Sequence, residues 1–394
     1  MNIKNTQEYR QNLLDEQTIY SILNNNNGAS YINHDQNPVL LGKDFLLKVN
    51  TSVGISDIRC LDAELRKIER ITALSFKPDL IMDHTPIHIE KKALWERLIE
   101  MTEFPIGVVP VYSVFDSTAG IDKSNFINEV ERMSAGGISF MTFHPTATRE
   151  LFEVANKTRT IPSTSWGGAL VLKDSIINHR HTNLIDDTFE DILSIMKKYN
   201  VTISIGSAFR PARIDEALDI VHHAETELQK RYIDMAVAAG VNVIMEGLGH
   251  IELDAIEKYC ELISDYNAPI MPLGPMPTDA TIGFDHVSSA IGATELARKG
   301  NVAIINSVTR AEHSGGIPSE SDVIEGLMSA RTVAHIVNMT RFKSYRLIDK
   351  AVSDNRASIK TCVVNGGIFN LNPNPSNTQD CRRCNWQCPY KMLN

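Results

Sequence analysis

The sequence predicts an α/β fold: a (β/α)8 TIM-type barrel with an N-terminal arm and a C-terminal helical extension ending in a cysteine tail. Three observations predict it. From about residue 80 to 310, short β-branched runs alternate with amphipathic stretches, and several runs are apolar throughout, as in a parallel sheet covered on both faces. Polar residues follow almost every run, and one mouth lined from eight strand ends is how this barrel builds sites. The competing doubly wound sheet lacks its signature. Gly247-Leu248-Gly249 follows a strand without the third glycine of a dinucleotide fingerprint, and no P-loop is present.

Residues 1–75 read as an N-terminal arm and cap region. They are polar and Asn-rich to about residue 45, with four asparagines in a row from Asn24 to Asn27. The barrel is assigned to 76–320, with strands expected at Leu80-Met82, Ile106-Tyr112, Ile138-Phe143, Thr160-Thr164, Val201-Ile205, Val241-Met245, Ala268-Leu273 and Val302-Ile305. Helical patterns fill Leu184-Tyr199, Arg213-Ala239 and Ile251-Tyr266 between them. Residues 321–369 carry two further helices, Ser321-Met339 and Tyr345-Ala357. From 370 to 394 a Pro/Asn-rich lead-in reads as a flexible tether to Cys381, Cys384 and Cys388.

A net charge of -9 without a basic stripe argues against nucleic acid or an anionic membrane as partner. No apolar run approaches the roughly 20 residues that span a bilayer. The polar N-terminus resembles neither a secretory nor an organellar leader. Six cysteines without a secretion signal suit a reducing compartment, so a cytoplasmic protein is expected.

Three thiols within C-R-R-C-N-W-Q-C are one short of a closed metal site. They suit a [4Fe–4S] cluster with one open iron, or structural zinc completed by a residue such as Cys362, or an exposed tail with incidental cysteines. Trp386 and Tyr390 suggest that the tail packs against something. His250 and His313 each follow a strand at the expected mouth, where two imidazoles could hold Zn, Fe or Mn and leave positions for substrate, or simply make hydrogen bonds. His286 reads as structural or substrate-contacting.

Glu246 ends an apolar strand, where a carboxylate must be paired or useful. It could serve as an acid–base group, bind substrate hydroxyls, or bridge the mouth. Arg210 has the donor fork for phosphate or carboxylate. Ser165 with Gly167 and Gly168 could cradle phosphate through backbone N–H groups, although the bare motif is weak. Asn50 lies just upstream of the expected barrel, where a polar cap could reach its mouth.

With these residues assembled, the chain resembles the HMP-phosphate synthase family. These are radical S-adenosylmethionine enzymes of thiamin pyrimidine biosynthesis, with 5-hydroxybenzimidazole synthase as a close relative. The resemblance runs from about Lys48 to Met339 and resumes at the terminal cysteines. It rests on Val243-Ile-Met-Glu-Gly-Leu-Gly-His250, Pro272-Leu-Gly-Pro-Met-Pro-Thr-Asp279, Gly283-Phe-Asp-His-Val-Ser-Ser-Ala-Ile-Gly292 and Glu312-His-Ser-Gly-Gly-Ile-Pro318.

The resemblance implies a homodimeric barrel enzyme, a carbon–carbon lyase, whose cysteine arm (Cys381, Cys384, Cys388) carries a [4Fe–4S] cluster. S-adenosylmethionine on the open iron would be cleaved to a 5'-deoxyadenosyl radical, with a flavodoxin or ferredoxin as electron donor. The implied substrate is a phosphorylated small molecule, 5-aminoimidazole ribotide or a relative. His250 and His313 match the family's ligands for a second, mononuclear divalent metal. Glu246, Asp279 and Tyr112 fall at catalytic positions, and Asn50, His144, Ser165, Gly167, Gly168 and Arg210 where substrate or cofactor is contacted.

The departures gather at strand ends. The family's C-x2-C-x4-C is C-x2-C-x3-C here, its Ser-Arg-Gly-Gly is Ser165-Trp166-Gly167-Gly168, and its Asp-Gly-Leu-Arg-Pro-Gly is Ser207-Ala-Phe-Arg-Pro-Ala212. The expectation is therefore a paralogue with retained radical machinery and an altered substrate pocket. A different reading keeps His250, His313 and Glu246 as a divalent-metal barrel hydrolase or aldolase with a structural zinc tail.

Overall fold

The computed structural model describes residues 28–34, 38–359, 362, 367–369, 384 and 387–392. The predicted Asn-rich arm up to residue 27, Cys381 and Trp386 lie outside the described residues. Chain order begins with an antiparallel pair, β1 (Ser30–Ile32) and β2 (Val39–Leu41). The barrel strands follow: β3 (Lys48–Val53), β4 (Leu80–Asp83), β5 (Ile106–Val108), β6 (Phe140–Phe143), β7 (Thr202–Ile205), β8 (Val243–His250), β9 (Ile270–Met276) and β10 (Ile304–Asn306).

Among the described residues these eight strands form one parallel sheet in the order β10-β3-β4-β5-β6-β7-β8-β9. The ring closes at Ile270, which bridges Val302 in parallel, donates its N–H to Asn301 O at 2.9 Å and accepts from Ala303 N at 3.0 Å. Every residue of β4, β6 and β7 is buried, because helices cover the outside while side chains fill the inside. Gly107 makes the β5–β6 contact possible: a Cβ there would lie 2.2 Å from the Phe140 ring.

The fold class is as expected, but two strands are placed differently and a third, expected over Ile106-Tyr112, ends at Val108 and gives way to the short helix Val111–Val114. The first barrel strand is Lys48–Val53, so the sheet begins inside the segment assigned to an arm and cap. The expected strand Thr160-Thr164 is a loop. Pro162 removes a backbone donor there, and the neighbouring bonds come from side chains. Ser163 Oγ donates to Ala208 O at 2.8 Å, and Arg159 clamps Asp219 at 2.7 and 2.8 Å. A helix, Trp166–Ile177, occupies the next stretch instead.

Predicted helices hold with shifted ends. Thr188 divides the first into Leu184–Asp187 and Phe189–Tyr199, Asp219 caps the second as Ile220–Ala239, and the third shortens to Ile256–Leu262. The C-terminal pair runs Glu320–Arg341 and Arg346–Ile359. No helix of the described residues is long and apolar enough to cross a membrane.

His222, early in the helix Ile220–Ala239, is buried, accepts the Leu218 N–H on Nδ1 at 3.0 Å, and stacks on Tyr259 at 5.3 Å between centroids. Burial first, then the Arg159 charge, lowers its pKa from 6.5 to about 3. Below pH 6.5 the unfolded chain binds a proton that the folded chain refuses, so stability held above that pH is lost as pH falls toward 3. Urea titrations between pH 6.5 and 4 should therefore show a flatter loss for His222→Gln than for the parent. The expected difference is about 1.4 kcal/mol per pH unit, and parallel curves would contradict this account.

Candidate active site

The C-terminal ends of the strands bring most of the predicted polar residues to one mouth. Asn50 on β3 is buried and donates through Nδ2 to Asn306 Oδ1 on β10 at 2.8 Å, while its own Oδ1 has no partner among the described residues. Tyr112 lies in the short helix Val111–Val114 after β5, and His144 directly follows β6. Arg210 follows β7, Glu246 sits within β8, and His250 ends that strand. The Arg210 charge acts on Tyr112, His144, Glu246 and His84, which places four polar side chains around one guanidinium.

His250 and His313 meet with ring centroids 5.1 Å apart and planes inclined by 70°. Each Nδ1 lies 2.6 Å from a carboxylate oxygen, Asp279 Oδ1 for His250 and Asp285 Oδ1 for His313. An ionised carboxylate only accepts, so each Nδ1–H points to its carboxylate, and in the neutral imidazole Nε2 then carries the lone pair. That arrangement orients imidazoles as metal ligands. Among the described residues no three His, Cys, Asp or Glu side chains converge as a ligand group. Two imidazoles would thus leave several positions for water or substrate. Asp279 also accepts the Ile214 N–H at 3.1 Å, so both of its oxygens serve the protein rather than a ligand.

Burial raises the Glu246 pKa, with Arg210 and the Thr142 hydroxyl, 2.9 Å away, opposing. The carboxyl is therefore suited to carry or exchange a proton. Burial likewise raises the Tyr112 hydroxyl and keeps it a donor. Arg210 makes no ion pair among the described residues and contacts only the Ser207 and Thr164 carbonyls, at 3.2 and 3.4 Å. Its loop is held from below by Glu225. That buried carboxylate accepts from Ser207 Oγ at 2.6 Å, Thr146 Oγ1 at 2.8 Å, Ala208 N at 2.6 Å and Phe209 N at 3.0 Å.

The Ser-x-Gly-Gly turn is occupied by the protein itself. Ser165 caps the helix Trp166–Ile177 by accepting the Gly168 N–H at 3.1 Å, and the Gly167 N–H faces the Tyr112 hydroxyl. Both glycines are needed for packing: a Cβ on Gly167 would lie 2.4 Å from His144 Cε1, and one on Gly168 2.6 Å from Ala208 Cβ. The Ser-x-Gly-Gly turn is thus a capped, close-packed helix start.

In the tail, Cys384 is exposed, Cys388 is buried, and the Gln387 N–H donates to Cys384 O at 3.0 Å. Sequence reasoning did not single out His84, Asp285, Asn306 or Glu225. His84 follows β4 in a polar dipeptide that was legible as a strand end. Asp285 stands one residue before His286, and it is the carboxylate that touches the site. His286 instead stacks on Phe284 at 6.1 Å.

The Radical SAM ThiC family model matches residues 16–394. A phosphomethylpyrimidine synthase from Methanopyrus kandleri is 32% identical over 319 residues, 78% of this chain and 73% of that protein. The corresponding protein of Thermococcus gammatolerans is 29% identical over 385 residues, 92% of this chain and 88% of that one. That of Clostridioides difficile is 30% identical over 370 residues, covering 90% and 84%.

The Asp–His pairs have a direct signature. Titration with Co(II) or Zn(II) against a competing chelator should show the Asp279→Asn and Asp285→Asn variants binding about 10–100-fold more weakly than the parent. Unchanged affinity in both variants would mean that the imidazoles are not held for a metal.

Proposed function

The chain belongs to the Radical SAM ThiC family, and on that premise we propose a carbon–carbon lyase that rearranges a phosphorylated imidazole ribonucleotide, 5-aminoimidazole ribotide. The relatives' name, phosphomethylpyrimidine synthase, supports a phosphorylated pyrimidine as the product class. The observation that carries the reading is the convergence of two carboxylate-oriented imidazoles, a buried carboxyl whose pKa is raised, and a guanidinium without an ion pair among the described residues at one mouth.

The residues present fit the implied groups. Cys381, Cys384 and Cys388 supply three thiolates, the donor set for a [4Fe–4S] cluster with one iron left for S-adenosylmethionine. The Nε2 atoms of His250 and His313 would take a mononuclear divalent metal, Zn, Fe or Mn. When bound, the cluster and S-adenosylmethionine supply a 5'-deoxyadenosyl radical that abstracts hydrogen from the substrate. A flavodoxin or ferredoxin would deliver the electron, and a homodimer is the proposed assembly.

The chain's own residues then divide the remaining work. Arg210 clamps the phosphate, since its fork makes no ion pair among the described residues and its loop is pinned by Glu225. The Asn50 Oδ1 atom, buried without a partner among the described residues, accepts a substrate N–H or O–H. Glu246 holds or releases a proton at the reacting ring, and the Tyr112 hydroxyl donates. Asp279 and Asp285 fix the two imidazoles, which gives Asp279 a positioning role rather than the catalytic one expected from the sequence.

Anaerobically reconstituted enzyme with 5-aminoimidazole ribotide, S-adenosylmethionine and reductant should form 5'-deoxyadenosine and consume the ribotide. Mass spectrometry of the product separates a pyrimidine from a benzimidazole. Glu246→Gln should slow ribotide loss about 100-fold or more. Absence of 5'-deoxyadenosine would overturn the radical reading, and its formation without ribotide loss would reject the substrate.

A further inference from the structure

Trp166 is 48% exposed at the first position of the helix Trp166–Ile177, although tryptophan is a side chain that folding normally hides. Its ring lies on Tyr112, with centroids 4.8 Å apart and planes inclined by 34°. Tyr112 in turn meets the His84 ring edge-on at 6.0 Å. The His144 ring fits against Gly167 and Gly206, where a Cβ would come within 2.4 and 2.7 Å of it. The mouth therefore carries four neighbouring flat side chains on the ends of β4, β5 and β6 and on the helix that follows.

This wall is uncharged and incompletely bonded. His84 Nε2 and His144 Nδ1 are buried without partners among the described residues. Burial first, then the Arg210 charge, lowers these imidazoles to about 4 and about 3, so both are neutral near pH 7. The glycine N–H groups at the helix start are directed to Ser165 Oγ and the Tyr112 hydroxyl. A phosphate beside Trp166 would find neither a cation on that residue nor those two donors. Arg210, whose charge reaches the whole wall, is the nearby anion partner.

We propose that Trp166 determines specificity at this mouth, stacking with Tyr112 against the flat heterocycle of the substrate while the phosphate goes to Arg210. The inference rests on the imidazole ribonucleotide reading above and adds where the ring lies and what holds it. Stacking on an exposed aromatic face gives affinity to any planar ring, and His84 Nε2 and His144 Nδ1 add hydrogen bonds to its polar edge.

Binding to the full, anaerobically reconstituted chain without reductant tests it, read by tryptophan fluorescence and calorimetry. Under these conditions 5-aminoimidazole ribotide should quench the fluorescence that Trp166→Leu removes. The same variant should raise the ribotide Kd about tenfold, with Trp166→Phe close to the parent because it keeps a ring. Ribose 5-phosphate, which lacks the heterocycle, should bind the parent and Trp166→Leu within about twofold of each other, since ring stacking is the lost interaction.

The proposal is overturned if Trp166→Leu weakens ribose 5-phosphate as much as the ribotide, or leaves the ribotide Kd unchanged. It is equally overturned if S-adenosylmethionine, and not the ribotide, quenches Trp166, or if the ribotide fails to bind the parent. None of these readings needs turnover. A protein that binds the ribotide through Trp166 yet forms no 5'-deoxyadenosine would reject the reaction while keeping the stacking wall.

Discussion

Closure of the parallel ring at Ile270 is the constraint on which the rest depends. An open sheet of eight strands would spread its polar ends along an edge, whereas the bonds from Ile270 to Asn301 and Ala303 bring β9 beside β10. Asn306, which pairs with Asn50 along the β3–β10 ladder, then also donates through Nδ2 to Pro272 O on β9 at 2.9 Å, and the loops after β8 and β10 bring His250 to His313. The loop that carries His313 meets the end of β8 only because the ring closes.

A mouth built this way must bury polar groups, and some of these are held by named partners while others are open to a ligand. Glu225 is the clearest case of the first kind. Its four donors offset the cost of placing a carboxylate in the core, and they fix the loop that presents Arg210. Asn50 Oδ1, His84 Nε2 and His144 Nδ1 are the second kind. Asp279 and Asp285 stand between, since they use their charge to set the tautomers of two histidines. The same carboxylates would be wasted on surface hydrogen bonds if the Nε2 atoms had nothing to bind.

Much of this was legible where chemistry is local. Apolar runs such as Ile106–Val108 and Phe140–Phe143 announce themselves as buried strands, and His250 and His313 stand out by following strands in Gly-rich turns. Lys48–Val53 was missed because Lys-Val-Asn-Thr-Ser-Val looks polar, yet Asn50 and Thr51 are both buried, on opposite faces of the strand. Thr160-Thr164 misled in the opposite way: its β-branched residues suggest a strand, while Pro162 and the side-chain bonds to the next loop make it irregular. Roles set by tertiary contact left no local signal. Asp285 meets a histidine 28 positions away, and Glu225 is one acidic residue among several on its helix.

The account separates two metal functions in one chain: a cysteine tail for iron and sulfide, and a histidine pair in the mouth for one divalent ion. Metal and sulfide analysis of the anaerobically reconstituted parent, a triple alanine variant of Cys381, Cys384 and Cys388, and a His250/His313 double alanine variant tests that division most directly. The account predicts about four irons and four sulfides per chain, lost only with the cysteines, and about one further divalent ion lost only with the histidines. Zinc in the tail without sulfide, or loss of both metals in either variant, would contradict it.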